Sequence, residues 1–374
     1  MIRRNVTQAD GRKRPIRSRW NERIRATLAS LLISIAMPSI AAAWDEDGHA
    51  IITLLAIDAL PTDMPDWLRS PDVRERLVYL SSEPDRWRGQ RDFQLDHING
   101  PDHYLDEEML HPFGLSVRSL PRFRVEFTDM MATQRALHPE KFAEPAGEEK
   151  PRPDRDYTRK LPGFLPYRIT ELQWQVAASW TQLKTYEAHP DRVTPGMIRN
   201  ARENIVYSMG ILSHYVGDGS QPLHMTIHHH GWVGPNPKGY TRDNKFHAYI
   251  DGDVLTLHNI SYDTLKDRVK PARKFSKKNN WQDIVAYLYE TFELVEPLYE
   301  LEKTGELKRA PGKQFIEGRM LEGGAALAGV WKAAYDAARI DEFRENRLKS
   351  EFPHEPGRKR ALRDQDEKKP ADSQ

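Results

Sequence analysis

The stretch His214-Tyr-Val-Gly-Asp218-Gly-Ser-Gln-Pro222-Leu-His224 closes a long apolar helical run and then crosses a proline. His214 and Asp218 stand four apart, so on a helix both side chains leave one face with Cβ atoms about 5–6 Å apart. That spacing suits two ligands of one metal ion, and His247 with Asp251 repeats it after a loop. Upstream, Thr194 is placed to cap a helix with Pro195 at its first position, and Ile198, Ile205, Met209, Leu212 and Val216 follow at helical spacing. Residues 165–186 carry the same pattern in Ile169, Leu172, Val176, Trp180 and Leu183, with Trp174 and Trp180 both read as core.

Working outward, residues 49–60 form a largely apolar helix stopped by Pro61, and residues 72–80 another. One or two helices fall within 115–137, and 281–303 and 312–340 are amphipathic. No period-two alternation persists and no repeat is visible. The expectation is an all-α, single-domain helical bundle over residues 44–340. Residues 144–160 read as a charged, proline-rich exposed loop, and residues 341–374 have the composition of a disordered polar tail.

The 374 residues are 39% apolar and 30% charged, but the skew is local. The first 43 residues hold an Arg-rich segment, a short apolar core from Ala26 to Met37, and Ala41-Ala-Ala43. This is the pattern of a secretory signal cleaved after Ala43, and the protein is expected to be secreted or periplasmic. Without that leader, 47 basic residues face 53 acidic ones, a formal charge of −6, so the body has no global polycation signature for nucleic acid. The absence of cysteine excludes disulfides and thiolate ligands, leaving His, Asp, Glu and backbone atoms to hold any metal.

Cleavage after Ala43 would expose an α-amine on Trp44, whose ordinary pKa of about 7.7–8.0 lets a metal displace its proton. Taken singly, the neighbouring candidates read blandly. His49 is a histidine near a core, Asp85 a helix-end or salt-bridge carboxylate, His103 a loop histidine, Asp106 a turn residue and Arg88 a surface cation. The triplet His228–His230 reads as a solvated or substrate-edge loop, because three adjacent histidines cannot all point at one ion from a regular element.

Together these residues resemble the zinc-dependent phospholipase C and single-strand-specific zinc nuclease superfamily. The resemblance rests on Trp44 at the signal cut, His49 five residues on, the Asp85-x-x-Arg88 segment, His103-x-x-Asp106, the opening string with Gln-Pro-Leu before His224, and His247-x3-Asp251. It runs from Trp44 to about Asp251 and implies an all-helical fold around three zinc ions (Zn2+). One would be held by Asp85, His103, His214 and Asp218. A second would take His224, His247 and Asp251, and a third the Trp44 amine and carbonyl, His49 and a bridging Asp218. The same resemblance makes Asp106 the carboxylate that orients the attacking water, Arg88 the cation facing the developing phosphorane charge, and Tyr104 an aromatic that stacks on a base.

The short Trp44-to-His49 spacing, the long gap from His224 to His247 and Asp251 as last ligand match the nuclease branch. Two features depart from it: His228–Gly239 replaces the Gly-Gly-Asn segment usual after the motif, and the disulfides of the eukaryotic nucleases are absent. The expected activity is a zinc-dependent endonuclease that hydrolyses single-stranded RNA or DNA to 5′-phosphate products. A phospholipase C acting on phospholipid is the alternative, and a catalytically inactive periplasmic metal-binding protein the second. A monomer without a stable protein partner is expected.

Overall fold

The computed structural model describes residues 44–88, 92–142, 158 and 161–350. Residues 1–43, expected to be a signal, nearly all of the loop at 144–160, and the end of the tail from residue 351 lie outside them. The longer helices are α1 (Glu46–Asp58), α2 (Pro71–Ser81), α3 (Glu83–Arg88), α4 (Phe93–Asn99), α5 (Arg124–Leu137), α6 (Leu165–Ala188), α7 (Pro195–Asp218), α8 (Trp281–Phe292), α9 (Val295–Lys303), α10 (Ala310–Ala337) and α11 (Glu342–Ser350). Short 3-10 turns link them, with brief α-helical turns at Phe246–Ala248, Val254–His258 and Tyr262–Leu265 and a π-helical turn at Tyr249–Asp253. Among the described residues there is no strand, only an isolated antiparallel bridge between Leu105 and Gly163, so the fold is mostly helical as expected. No helix there is long and apolar enough to cross a membrane.

The hairpin of α6 and α7 is the scaffold. Thr194 Oγ1 accepts from Met197 N at 3.2 Å and Pro195 opens α7, so the helix starts where its residues dictate. Ile205, Met209, Leu212 and Val216 on α7 are buried, as are Leu172, Val176, Trp180 and Leu183 on α6. Trp174 departs from the expectation and is 40% exposed. It stands two positions from both Leu172 and Val176, about 200° around the helix, and so faces away from the core stripe.

α10 lies against α1 and α6. Its closest approach to α1 needs a glycine: a Cβ on Gly324 would sit 2.7 Å from Leu55 Cβ. Trp331 Nε1 donates to Met209 O at 3.2 Å and ties α10 to α7.

Two expected elements differ. The segment 281–303 is two helices, because Pro297 in the first turn of α9 cannot continue a helix from α8: its ring would clash with the carbonyl of Glu293. The tail expected to be disordered from residue 341 instead begins as α11. Arg344 Nη1 donates to Ala178 O at 3.0 Å, His189 Nε2 pairs with Glu345 Oε1 at 2.9 Å, and Leu348 is buried, so polar contacts with α6 and its end hold a segment that composition alone leaves free.

Substituting Gly324→Val should force α1 and α10 apart. The expected cost is about 1–3 kcal/mol, typical of overpacking, read as a lower midpoint in thermal unfolding.

Candidate metal centre

The last turn of α7 delivers His214 and Asp218, with His214 Nε2 3.4 Å from Asp218 Oδ2. α1 delivers His49, whose Nε2 is 3.4 Å from Asp218 Oδ1 and whose ring stacks on that of His214 at 4.0 Å. This approach depends on Gly217, where a Cβ would stand 2.9 Å from His49 Nδ1. α3 carries Asp85, whose Oδ1 lies 3.8 Å from both His103 Nδ1 and His214 Nε2. The turn Gly100–His103 places His103 Nδ1 3.1 Å from Asp218 Oδ2 and 3.0 Å from His214 Nε2.

The proline after α7 starts the 3-10 turn Pro222–Met225, which carries His224. His224 Nε2 faces His247 Nε2 at 3.2 Å, and His247 Nε2 is 3.4 Å from Asp251 Oδ2. A π-helical turn over Tyr249–Asp253 presents Asp251. Three sets of ligand atoms each lie within 4.8 Å of one another: His49, Asp85 and His214; His103, His214 and Asp218; and His224, His247 and Asp251. Each of these buried groups could hold a metal ion. The side chains expected to be ligands thus lie together; His49 approaches Asp85 and His214 as well as Asp218.

Backbone carbonyls set the inward faces of two histidines. His214 Nδ1 lies 2.7 Å from Ser81 O, and His224 Nδ1 2.6 Å from His103 O. A carbonyl only accepts, so each Nδ1 carries the proton and each Nε2 offers a lone pair to the centre, the usual outer support of a ligating histidine. Gln221 holds Asp251 by donating Nε2 to its Oδ1 at 2.8 Å, while its own Oε1 accepts from Leu223 N at 2.6 Å. In the sequence Gln221 shows only as part of the Gln-Pro-Leu before His224, and that position is the one local signal of its role. Trp44 is fully buried, with Nε1 donating to Ser220 Oγ at 3.0 Å, and the next residue's N–H donates to Asp251 O at 3.2 Å. The free Trp44 amine depends on a cut within residues that lie outside the description.

Burial drives every candidate ligand toward its neutral form. It lowers His49, His103, His214 and His247 far below the ordinary histidine range and takes His224 to about 3. It raises Asp218 and Asp251, and the Asp85 carboxylate lifts Asp218 further. At the same time both ring nitrogens of His49, His103 Nε2, Asp85 Oδ1, Asp218 Oδ1 and Asp251 Oδ2 are buried without a hydrogen-bond partner in the protein. Unpaired carboxylates and imidazole lone pairs are costly to bury. A cation satisfies both at once, so this donor set fits a metal.

Asp106 is also buried, and its Oδ1 has no hydrogen-bond partner; burial and then Glu108 raise its pKa strongly. Arg88 Nη2 stands 3.5 Å from Asp85 Oδ1. Tyr104 is half-buried, its carbonyl accepting from Leu165 N at 3.2 Å, and it follows His103 directly.

The reading of His228–His230 as a solvated loop fails for its first member. His228 is buried and stacks on Trp232 at 3.8 Å, Val233 N donates to its Nδ1 at 3.0 Å, and the Tyr299 hydroxyl donates to its carbonyl. Glu108 clamps the same loop, accepting from Thr226 Oγ1 at 2.6 Å and Ile227 N at 3.0 Å. Neither role was foreseen, since nothing local in the sequence pairs residue 108 with residue 226. A scan against protein-family models and a search of curated proteins find no match to the chain.

Two measurements test the loop and the centre. Burial, then His229, lowers His228 from 6.5 to about 4. Between those values the unfolded chain binds a proton that the folded chain does not, so the His228 contribution is lost as pH falls through that window. Thermal unfolding across pH should steepen less in His228→Gln, which keeps an acceptor and does not titrate. Separately, removing metal with a chelator should lower the unfolding midpoint. A site at a thousand-fold excess of ion over Kd contributes about 4 kcal/mol, and His214→Ala should bind less metal by elemental analysis.

Proposed function

We propose that the chain is a secreted, zinc-dependent phosphodiesterase of the phospholipase C and single-strand nuclease superfamily, cutting single-stranded RNA or DNA to leave 5′-phosphate ends. The observation that carries this reading is the convergence of five buried histidines and three aspartates, six of which keep a buried ring nitrogen or carboxylate oxygen without a hydrogen-bond partner. Nitrogen and carboxylate donors without thiolate suit zinc. In this reading Asp85, His103, His214 and Asp218 hold one ion, His224, His247 and Asp251 a second, and His49 with Asp218 and the Trp44 main chain a third. Bound there, the ions would acidify a water and neutralise phosphate oxygens.

The chain's own groups then have separate tasks. Asp106, three residues beyond His103 and buried, orients the attacking water and takes up its proton. Arg88, beside Asp85, offers positive charge to the phosphate oxygens. The recessed ligands favour a flexible single strand, which can bring a phosphate and its neighbouring base inward. Tyr104 is the proposed stacking surface. The Arg-rich leader and Ala41-Ala-Ala43 support export, and a monomer is the proposed state.

A second reading, phospholipase C, draws on one observation. Phe93, Leu95 and Ile98 on α4, with Phe123 and Val125 at the start of α5, are exposed apolar side chains on segments that lead into or contact the His103 turn; Arg124 Nη1 bonds Asp102 at 2.8 Å. Such side chains suit a lipid surface.

Purified zinc-loaded protein should cleave single-stranded RNA or DNA and leave phosphatidylcholine intact. Lipid turnover without nucleic-acid cleavage would reverse the order of the two readings, and neither activity would remove both. Asp106→Asn should lower kcat by about a hundred-fold or more, in line with loss of a general base, at unchanged zinc content.

A further inference from the structure

The histidine triplet is the sequence feature that the ligand set does not absorb. Its first member is a structural post: His228 N donates to Thr226 Oγ1 at 3.1 Å, its ring stacks on Trp232, and Arg242 Nη1 donates to the Trp232 backbone carbonyl at 3.0 Å. With Glu108 holding Thr226 and Ile227, the loop is fixed at both ends of the triplet. It presents His229 over the ligands. The His229 ring centroid is 6.0 Å from that of His247, and its Nδ1 is 4.0 Å from Asp106 Oδ1. His229 therefore stands between the carboxylate proposed to orient the water and the group His224, His247 and Asp251.

The ring's orientation is set by the same device that sets His214 and His224. His229 Nδ1 lies 3.1 Å from Thr226 O, which can only accept, so in the neutral ring Nδ1 bears the hydrogen and Nε2 a lone pair. Among the described residues nothing bonds that Nε2, and the side chain is 38% exposed. A fixed acceptor at the rim of a phosphodiesterase site selects a substrate donor rather than a phosphate oxygen, whose lone pairs it would oppose.

We infer that His229 is a specificity-determining residue whose Nε2 accepts a hydrogen bond from a donor group of the bound strand, either a ribose 2′-hydroxyl or a base N–H. The inference rests on the nucleic-acid reading above and adds to it a residue that distinguishes one nucleotide from another. The Glu108 and His228 contacts hold the acceptor in place and do not touch substrate.

The test uses the zinc-loaded protein and short single-stranded oligomers of rA, dA, rU and dT. His229→Phe keeps a planar ring and removes the acceptor; His229→Gln keeps an acceptor at similar reach. His229→Phe should lower kcat/KM about five- to ten-fold, the scale of one hydrogen bond, on a subset of the oligomers and leave the rest within about two-fold. Loss on both ribo-oligomers assigns the 2′-hydroxyl. Loss on both adenylates, or on both rU and dT, assigns a base N–H. His229→Gln should recover part of the loss, and fluorescence anisotropy with phosphorothioate oligomers should move in the same subset. An equal fall on all four, or none, overturns the inference while leaving the phosphodiesterase reading in place. If the unsubstituted protein cleaves none of the four, the nucleic-acid reading fails and this inference falls with it.

Discussion

The centre depends on two hydrogen bonds from imidazole to main chain. Ser81 O accepts from His214, and His103 O accepts from His224. Each fixes a tautomer, and each ties a ligand to a backbone segment more than a hundred positions away. Without them an imidazole buried among others could rotate or exchange its proton, and the inward lone pairs would not be reliable. The carbonyl of His103 makes the second bond while its ring joins His214 and Asp218, so one turn supports both that group and the one around His224. The link is reciprocal: Leu105 N donates to His224 O at 2.9 Å.

The helical scaffold serves that geometry through small residues and short breaks. Gly217 lets His49 lie against α7, and Gly324 lets α10 press on α1 from another side. The helix of α7 ends at Asp218 because Gly219 and then Pro222 follow closely, and the chain turns at once into the segment bearing His224. The wide π-helical turn at Tyr249–Asp253 brings Asp251 Oδ2 to 3.4 Å from His247 Nε2 although the surrounding segment is irregular. Burial gives the ligands their chemistry. Carboxylates driven up and imidazoles driven down are both relieved by a cation.

Much of this was legible from residue order. The i, i+4 pairs needed only helical geometry, and the caps at Thr194 and Pro195 placed α7 correctly. Asp85 and His103 were weaker, because a carboxylate on a short helix and a histidine in a turn have ordinary explanations until a third dimension brings them to Asp218. Gln221, Glu108 and His228 act across long sequence separations through hydrogen bonds or stacking, which hydrophobic periodicity does not encode. Trp174 was misread by residue type where its angular position on α6 decided the matter. α11 was misread by composition, since its polar side chains find partners on α6 and at its end.

The long separations between ligands have a kinetic consequence. His214 contacts His103 across 111 positions, and His224 contacts its carbonyl across 121. Closing loops of that size before other contacts form is entropically unfavourable. Only His214 with Asp218, and His247 with Asp251, can come together locally. The full ligand set must therefore assemble late, once α1, α2 and α7 have docked, in contrast to small metal domains whose ligands sit within a few turns. Metal capture at such a centre would follow folding rather than nucleate it.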